Sequence, residues 1–221
     1  MKKICFILLA IFIAVPFTHA QKKKAFTGEI TITISYDGTW DPATLAQQPR
    51  EMTIIVGTEK QKSVILASGA SISTIVNTKD SSVTTLVNAM GMKFFIKQTK
   101  DMILESIEET EPPKIVYLDE TKDIAGYTCK KAEYITLDEY DEEVTTIVYY
   151  TEDIGSPSMN FGGQFNGLIG YPMEYIMQTD EGTITFSVSA LKSKKIKDTE
   201  FLIPTDYEEL SPEQVKEMFG G

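Results

Sequence analysis

Beyond residue 20 this chain has no histidine. Its one histidine, His19, falls in an N-terminal stretch that reads as a removable leader. That absence takes away the commonest general base, the usual partner of a catalytic serine or cysteine, and the commonest zinc ligand. It argues against triads and metal centres, and nothing calls for a cofactor. Cysteine is nearly as scarce: Cys5 lies in the same leader, which leaves Cys129 alone. An intramolecular disulfide is then impossible, and a buried thiol acting as a small hydrophobe is the favoured reading. The single tryptophan, Trp40, weakens a glycan-binding reading. Positive charge is in deficit, with 21 basic against 32 acidic side chains and a formal charge of −11, which becomes −13 without Lys2 and Lys3. Charge of that sign repels phosphate backbones and anionic headgroups, so nucleic acid is a poor partner.

The leader has a charged start, an apolar run from Ile4 to Phe17, and Thr18-His19-Ala20 before Gln21. This is the anatomy of a secretory signal peptide, and the run is shorter than the roughly 20 residues needed to span a bilayer. No cysteine directly follows it, which argues against a lipid anchor. The expectation is an exported protein, periplasmic or extracellular. Residues 1–20 are removed, residues 21–221 form one β-rich domain, no transmembrane segment remains, and the protein is a monomer.

GEITITISY alternates so regularly that Ile30, Ile32, Ile34 and Tyr36 must share a strand face. Asp41-Pro42 is placed to cap a short helix through Leu45, closed by Pro49. Met52–Val56, Ser63–Ser68, Ile72–Thr78, Val83–Ala89 and Met92–Gln98 then recur at even spacing, which means hairpins and not helical crossovers. Thr99 to Pro112 turns acidic and reads as a connection at the sheet edge. Ile115–Leu118, Ala125–Ile135 and Val144–Thr151 form a meander separated by acidic and glycine-containing turns. Within its middle strand Tyr127 and Cys129 share one face while Ala132 and Tyr134 fall on the other. A β-bulge near Lys130-Lys131 would return both sets to one core. Residues 155–170 carry five glycines with Met159, Phe161, Phe165, Leu168 and Ile169, a long loop with apolar teeth of the kind that is often functional or packs as a flap. Two more alternating strands hold Met173, Tyr175 and Met177, then Ile184, Phe186, Val188 and Ala190. The fold class is mainly β, a curved antiparallel sheet of ten or eleven strands with a short C-terminal helix. Ser211, Pro212 and Gln214 make a capping box for that helix, Pro212 to Phe219, which is too short to persist undocked.

IAGYTCKKAEY, VYYTEDI, FNGLIGYPMEY and FLIPTDYEELSPEQVKEMF resemble a family of secreted envelope proteins of unknown function over about Ile115 to Phe219. The second half is also similar to the GLPGLI family, in which a Gly-Tyr-x-Cys hairpin precedes a Gly-Leu-rich loop. Here that loop reads Gly167-Leu168-Ile169-Gly170 and lacks the family's proline. The resemblance implies, by architecture, a half-barrel like the lipoprotein carriers LolA and LolB, and it brings no catalytic residue to any position.

Carboxylates crowd into turns at Glu105–Glu111, Asp119-Glu120 and Asp138–Glu143, where they read as solvated hairpin tips. The last run lacks the glycine and spacing of an EF-hand loop for calcium. The remaining functional feature is apolar: Met92, Phe94, Met173, Tyr175, Met177 and Phe186, with Met90, Phe95 and the loop's teeth, form either a soft lining for an apolar ligand or a filled core. Val215, Met218 and Phe219 are the candidate lid or plug. The leading reading is a non-enzymatic envelope protein whose half-barrel holds an apolar ligand or a lipidated or protein partner. The alternative is a structural or interaction module with a filled core.

Overall fold

The structure, a computed structural model, describes residues 26–138, 140–155, 157–211, 214 and 217. The proposed signal peptide and the lid residues Val215, Met218 and Phe219 lie outside the described residues. The first half of the chain is a meander: β1 (Gly28–Gly38), β2 (Glu51–Val56), β3 (Lys60–Ala67), β4 (Ala70–Asn77), β5 (Ser82–Ala89) and β6 (Met92–Gln98). A helical turn, α1 (Pro42–Leu45), sits between β1 and β2, with the Asp41 carboxylate accepting from Thr44 N as the sequence predicts. After helix α2 (Lys100–Glu108) a second meander follows, β7 (Lys114–Ile124), β8 (Tyr127–Leu137), β9 (Glu143–Thr151), β10 (Tyr171–Thr179) and β11 (Gly182–Ser193). β11 pairs with the free side of β1. The result is one sheet in the order β12-β6-β5-β4-β3-β2-β1-β11-β10-β9-β8-β7. It is curved and unclosed.

Eleven strands are antiparallel, matching the upper count read from sequence. The twelfth, β12 (Glu208–Glu209), is a two-residue parallel addition beside β6. Two-residue turns at Ser68-Gly69, Met90-Gly91 and Ala125-Gly126 have positive φ at both positions, the geometry that matches the twist of hairpin strands. Register shifts at Thr31/Ile32, Pro172/Glu174 and Leu118/Thr121 bend the sheet.

Three expectations are corrected. The slip at Lys130-Lys131 is real, but the extra residues, Asp119 and Glu120, lie on β7: Leu118 pairs with Lys131 and Thr121 with Lys130, while β8 runs unbroken against β9. Glu120 uses the slack to reach Lys131 Nζ at 3.0 Å. Consequently Cys129 and Ala132 serve two clusters and not one, Cys129 with Ile124 and Met173, Ala132 with Phe165 and Leu168. Second, Asp119–Ile124 continues β7 instead of forming a turn. Third, the acidic connection after Thr99 is the helix α2, capped by Thr99 Oγ1 accepting from Met102 N.

That helix decides how the sheet's two edges meet. Its Ile103 is buried against Val76 and Val83, with Ile107 and Phe161 alongside. The opposite face of the β2–β6 half is covered by the segment after β11, where Phe201 packs on Ile75 and Leu86 with Ile203 and Tyr207 beside it. Leu210 N then donates to Phe95 O, and Ser211 and Gln214 exchange the two hydrogen bonds of the predicted capping box at 2.8 and 3.2 Å. Among the described residues no helix is long and apolar enough to cross a membrane.

Candidate binding cleft

The six residues nominated as an apolar lining do not share one site. Met173 and Tyr175 are buried on β10, with Met177 and Phe186 packed against them. Tyr175 and Phe186 stack at 4.5 Å with ring planes 10° apart. Phe94 is buried on β6, with six strands between it and β10 in the sheet order, and Met92 is partly exposed near the β5–β6 hairpin. All but Met92, which is exposed, pack as core.

What fills the inner face of the second meander is the loop of residues 155–170. A 3-10 turn, Pro157–Asn160, starts it, and Met159, Phe165 and Leu168 are buried. The Phe165 ring sits edge-on to Tyr134 at 5.3 Å and to Tyr175 at 4.9 Å. Polar tethers hold the teeth in place. Asn160 Nδ2 donates to Leu168 O (3.0 Å) and Gly170 O (2.9 Å), and Tyr134 OH donates to Asn166 O (3.0 Å). Ile169 N donates to Tyr117 OH, and Gln61 Nε2 to Met159 O. Burial pushes the phenols of Tyr134, Tyr171 and Tyr175 above their ordinary range, so each stays neutral at physiological pH.

Open space lies instead where α2 bridges the sheet edges. A cleft of about 580 Å³ runs between α2, the ends of β6 and β8, and the 155–170 loop. Ile103, Ile107, Tyr134 and Leu137 supply its apolar lining, the first and third of them buried. Glu109, Glu111, Asp138 and Asp141 stand exposed around it. Asp138 also shapes its own turn by accepting from Tyr140 N and Glu142 N. A larger hollow of about 890 Å³ opens beside Phe26, Tyr127 and Lys194. None of the six nominated lining residues borders the cleft. A signal existed only for its α2 wall: Ile103 and Ile107 stand one helical turn apart behind a threonine cap.

Cys129 is fully buried, with its Sγ 3.4 Å from Tyr127 O, and burial pushes its thiol up to about 11. A nucleophile needs the opposite shift. Among the described residues no group of three or more His, Cys, Asp or Glu is placed to hold a metal ion.

No family model matches the chain, and no curated protein does. Among solved structures, PNGF-II in two crystal forms superposes with TM-scores of 0.58 and 0.59 at 20% and 21% identity, over 88% and 89% of this chain. The chain spans about a third of the length of PNGF-II, and at that identity the likeness is one of fold. Looser overlaps occur with MucB (TM-score 0.34, 10% identity, 83% of this chain and 59% of that one) and with LprF from Mycobacterium bovis (0.30, 8%, 77% and 88%).

Proposed function

We propose that this chain is a non-enzymatic, exported envelope protein that binds a partner molecule through the cleft between α2 and β8. The observation that carries the reading is a contrast. The inner face of the half-barrel is occupied by the chain's own Met159, Phe165 and Leu168, while the seam between the sheet edges is open and has an apolar lining. A volume of about 580 Å³ lies within the roughly 300–1,000 Å³ of ligand sites. An apolar group of the ligand sits on Ile103, Ile107 and Tyr134. The capping box at Ser211 starts beside the end of β6, whose last residue Gln98 lines the cleft.

The test is native mass spectrometry of the protein recovered from the envelope of its own host, beside a Thr136→Arg variant that obstructs the cleft from an exposed strand position. A bound mass on the wild type that is missing from the variant is expected. An adduct retained by the variant places binding elsewhere and removes the reading. The same spectra report the start of the mature chain, expected at Gln21.

A second reading is favoured by the filled inner face together with the β7 edge, which among the described residues no strand pairs on its outer side. There the chain is an interaction module that offers Lys114–Leu118 to a partner strand, with the Asp119-Glu120 bulge limiting how far pairing runs. A partner whose binding survives Thr136→Arg but not Val116→Pro, which removes a backbone donor, identifies that mode.

A further inference from the structure

We propose that the ligand of the α2–β8 cleft is a basic peptide segment. It lies extended along the cleft, with apolar side chains on Ile103, Ile107 and Tyr134 and flanking Lys or Arg residues beside Glu109, Glu111, Asp138 and Asp141. The proposal rests on the cleft being the binding site and names the chemistry that the cleft selects.

Charge is the first argument. Among the described residues four carboxylates line the cleft and no lysine or arginine does, although Lys97 and Lys100 flank its residue Gln98 in sequence. A fatty acid or an anionic lipid would bring its headgroup against four like charges, and like-charge juxtaposition disfavours a partner strongly. A cation is drawn in, because a cleft lined by one sign of charge raises the local concentration of the opposite sign.

Hydrogen bonding is the second argument, and it separates a peptide from a simple cationic amphiphile. Gln98, Ser106, Thr136 and Asn166 also line the cleft. Among the described residues their side chains make no hydrogen bond within the protein, so donors and acceptors of both kinds are left to water around the apolar patch. Peptide groups carry one donor and one acceptor per residue and match such a surface, whereas a trimethylammonium surfactant has neither. An apolar lining, neutral donors and acceptors, and an acidic rim are together the complement of a chain that mixes Leu-like and Lys-like residues.

The experiment measures fluorescence anisotropy of a labelled decapeptide of alternating Leu and Lys, beside counterparts with Glu or Gln in place of Lys. Oleate and dodecyltrimethylammonium are run as competitors. The Lys peptide is expected to bind, to weaken as salt rises from about 50 to 500 mM, and to lose about three- to tenfold in affinity in the Glu111→Gln/Asp141→Asn variant. Thr136→Arg is expected to abolish its binding with an unchanged melting temperature. Substituting Asp180→Asn and Glu181→Gln, acids at the β10–β11 turn away from the cleft, leaves binding unchanged. Equal loss in that control pair shows unspecific attraction and overturns the proposal, as does binding of the Glu peptide with matching affinity. If oleate, the surfactant or the Gln peptide binds more tightly than the Lys peptide and Thr136→Arg blocks it, the basic-peptide assignment falls while the cleft stands. If no probe responds to Thr136→Arg, both fall.

Discussion

Lys122 Nζ lies 2.6 Å from Glu174 Oε1, although the two residues belong to β7 and β10 and two strands, β8 and β9, lie between them. The bulges at Asp119-Glu120 and at Met173 bend the second meander enough for a lysine to reach across. Glu174 is buried and also accepts from Ser187 Oγ at 2.8 Å, while the Lys122 side chain is about half exposed and lies over the Tyr149 ring at 5.3 Å. The two partners are therefore unequal. Lys122→Met strands a buried carboxylate with one hydroxyl donor and should cost about 1–3 kcal/mol. Glu174→Gln keeps a neutral acceptor for Ser187 and lets Lys122 turn to water, so it should cost less. Urea melts of both variants check this, and a larger loss in Glu174→Gln would show that the lysine and not the carboxylate is the desolvated partner.

Cys129 sets an alkaline limit on stability. Its thiol titrates near the ordinary value of 9.0 when unfolded and near 11 when folded. The folded pKa is raised, so the unfolded state sheds its proton first, and stability is whole below about pH 9 and falls between 9 and 11. A two-unit difference corresponds to about 2–3 kcal/mol lost across that window. Cys129→Ala should flatten the fall, leaving the part due to Tyr171 and Tyr175, whose raised pKa values make stability fall from their ordinary value of 10.0 upward. Alkylation of the native thiol at neutral pH should be slow, and fast in denaturant. Prompt native labelling would mean that Cys129 is exposed and that the β8 register is different.

Much of this architecture is visible in the residues. Strict alternation through Ile30, Ile32 and Ile34 places β1, even spacing places β2 to β6, and Ser211 with Gln214 announces its own capping bonds. What escapes is whatever depends on a partner. The parity break between Cys129 and Ala132 shows that a bulge exists but cannot say which strand carries it, because one strand's pattern is the same with the extra residues on either side of the ladder. Asp119 to Asp123 has turn composition, yet as the outer part of an edge strand it needs no apolar face. The acid-rich sequence after Thr99 hides α2 because only Ile103 is fully buried on it. The cleft is invisible for a stronger reason. Its walls come from residues 98–113, 134–141 and 162–166, brought together only when α2 spans the seam.

The loop of residues 155–170 should behave as a structural plug. Asn160→Ala removes the donor to two buried carbonyls and should cost about 2–4 kcal/mol, and Leu168→Ala, at a fully buried position, about 3–5 kcal/mol. Thermal melts give both values. With the hollow filled, wild-type protein should hold little of a fluorescent fatty-acid probe, and Leu168→Ala should hold more. Strong uptake by the wild type would show that the teeth leave readily and that the half-barrel is itself a ligand cavity.

Gly162 couples that plug to the cleft. Its φ of +65° is left-handed, and a β-carbon there would sit 3.0 Å from Ile103 Cγ2 and 3.4 Å from Val83 Cγ2. Gly162→Ala therefore adds backbone strain of about 1–2 kcal/mol and presses on the isoleucine that anchors α2. Gly163 lines the same cleft, but a β-carbon there meets only Asn160 O at 3.4 Å, ordinary contact, without a left-handed backbone. The pair separates strain from proximity. Gly162→Ala should lower the melting temperature by about 2–8 °C and weaken cleft binding through displacement of Ile103, while Gly163→Ala should do neither. Equal stability in the two variants would mean that the loop yields freely at residue 162. In that case α2 is not held from the loop side, and the cleft owes its shape to the contacts of Ile103 with Val76 and Val83 alone.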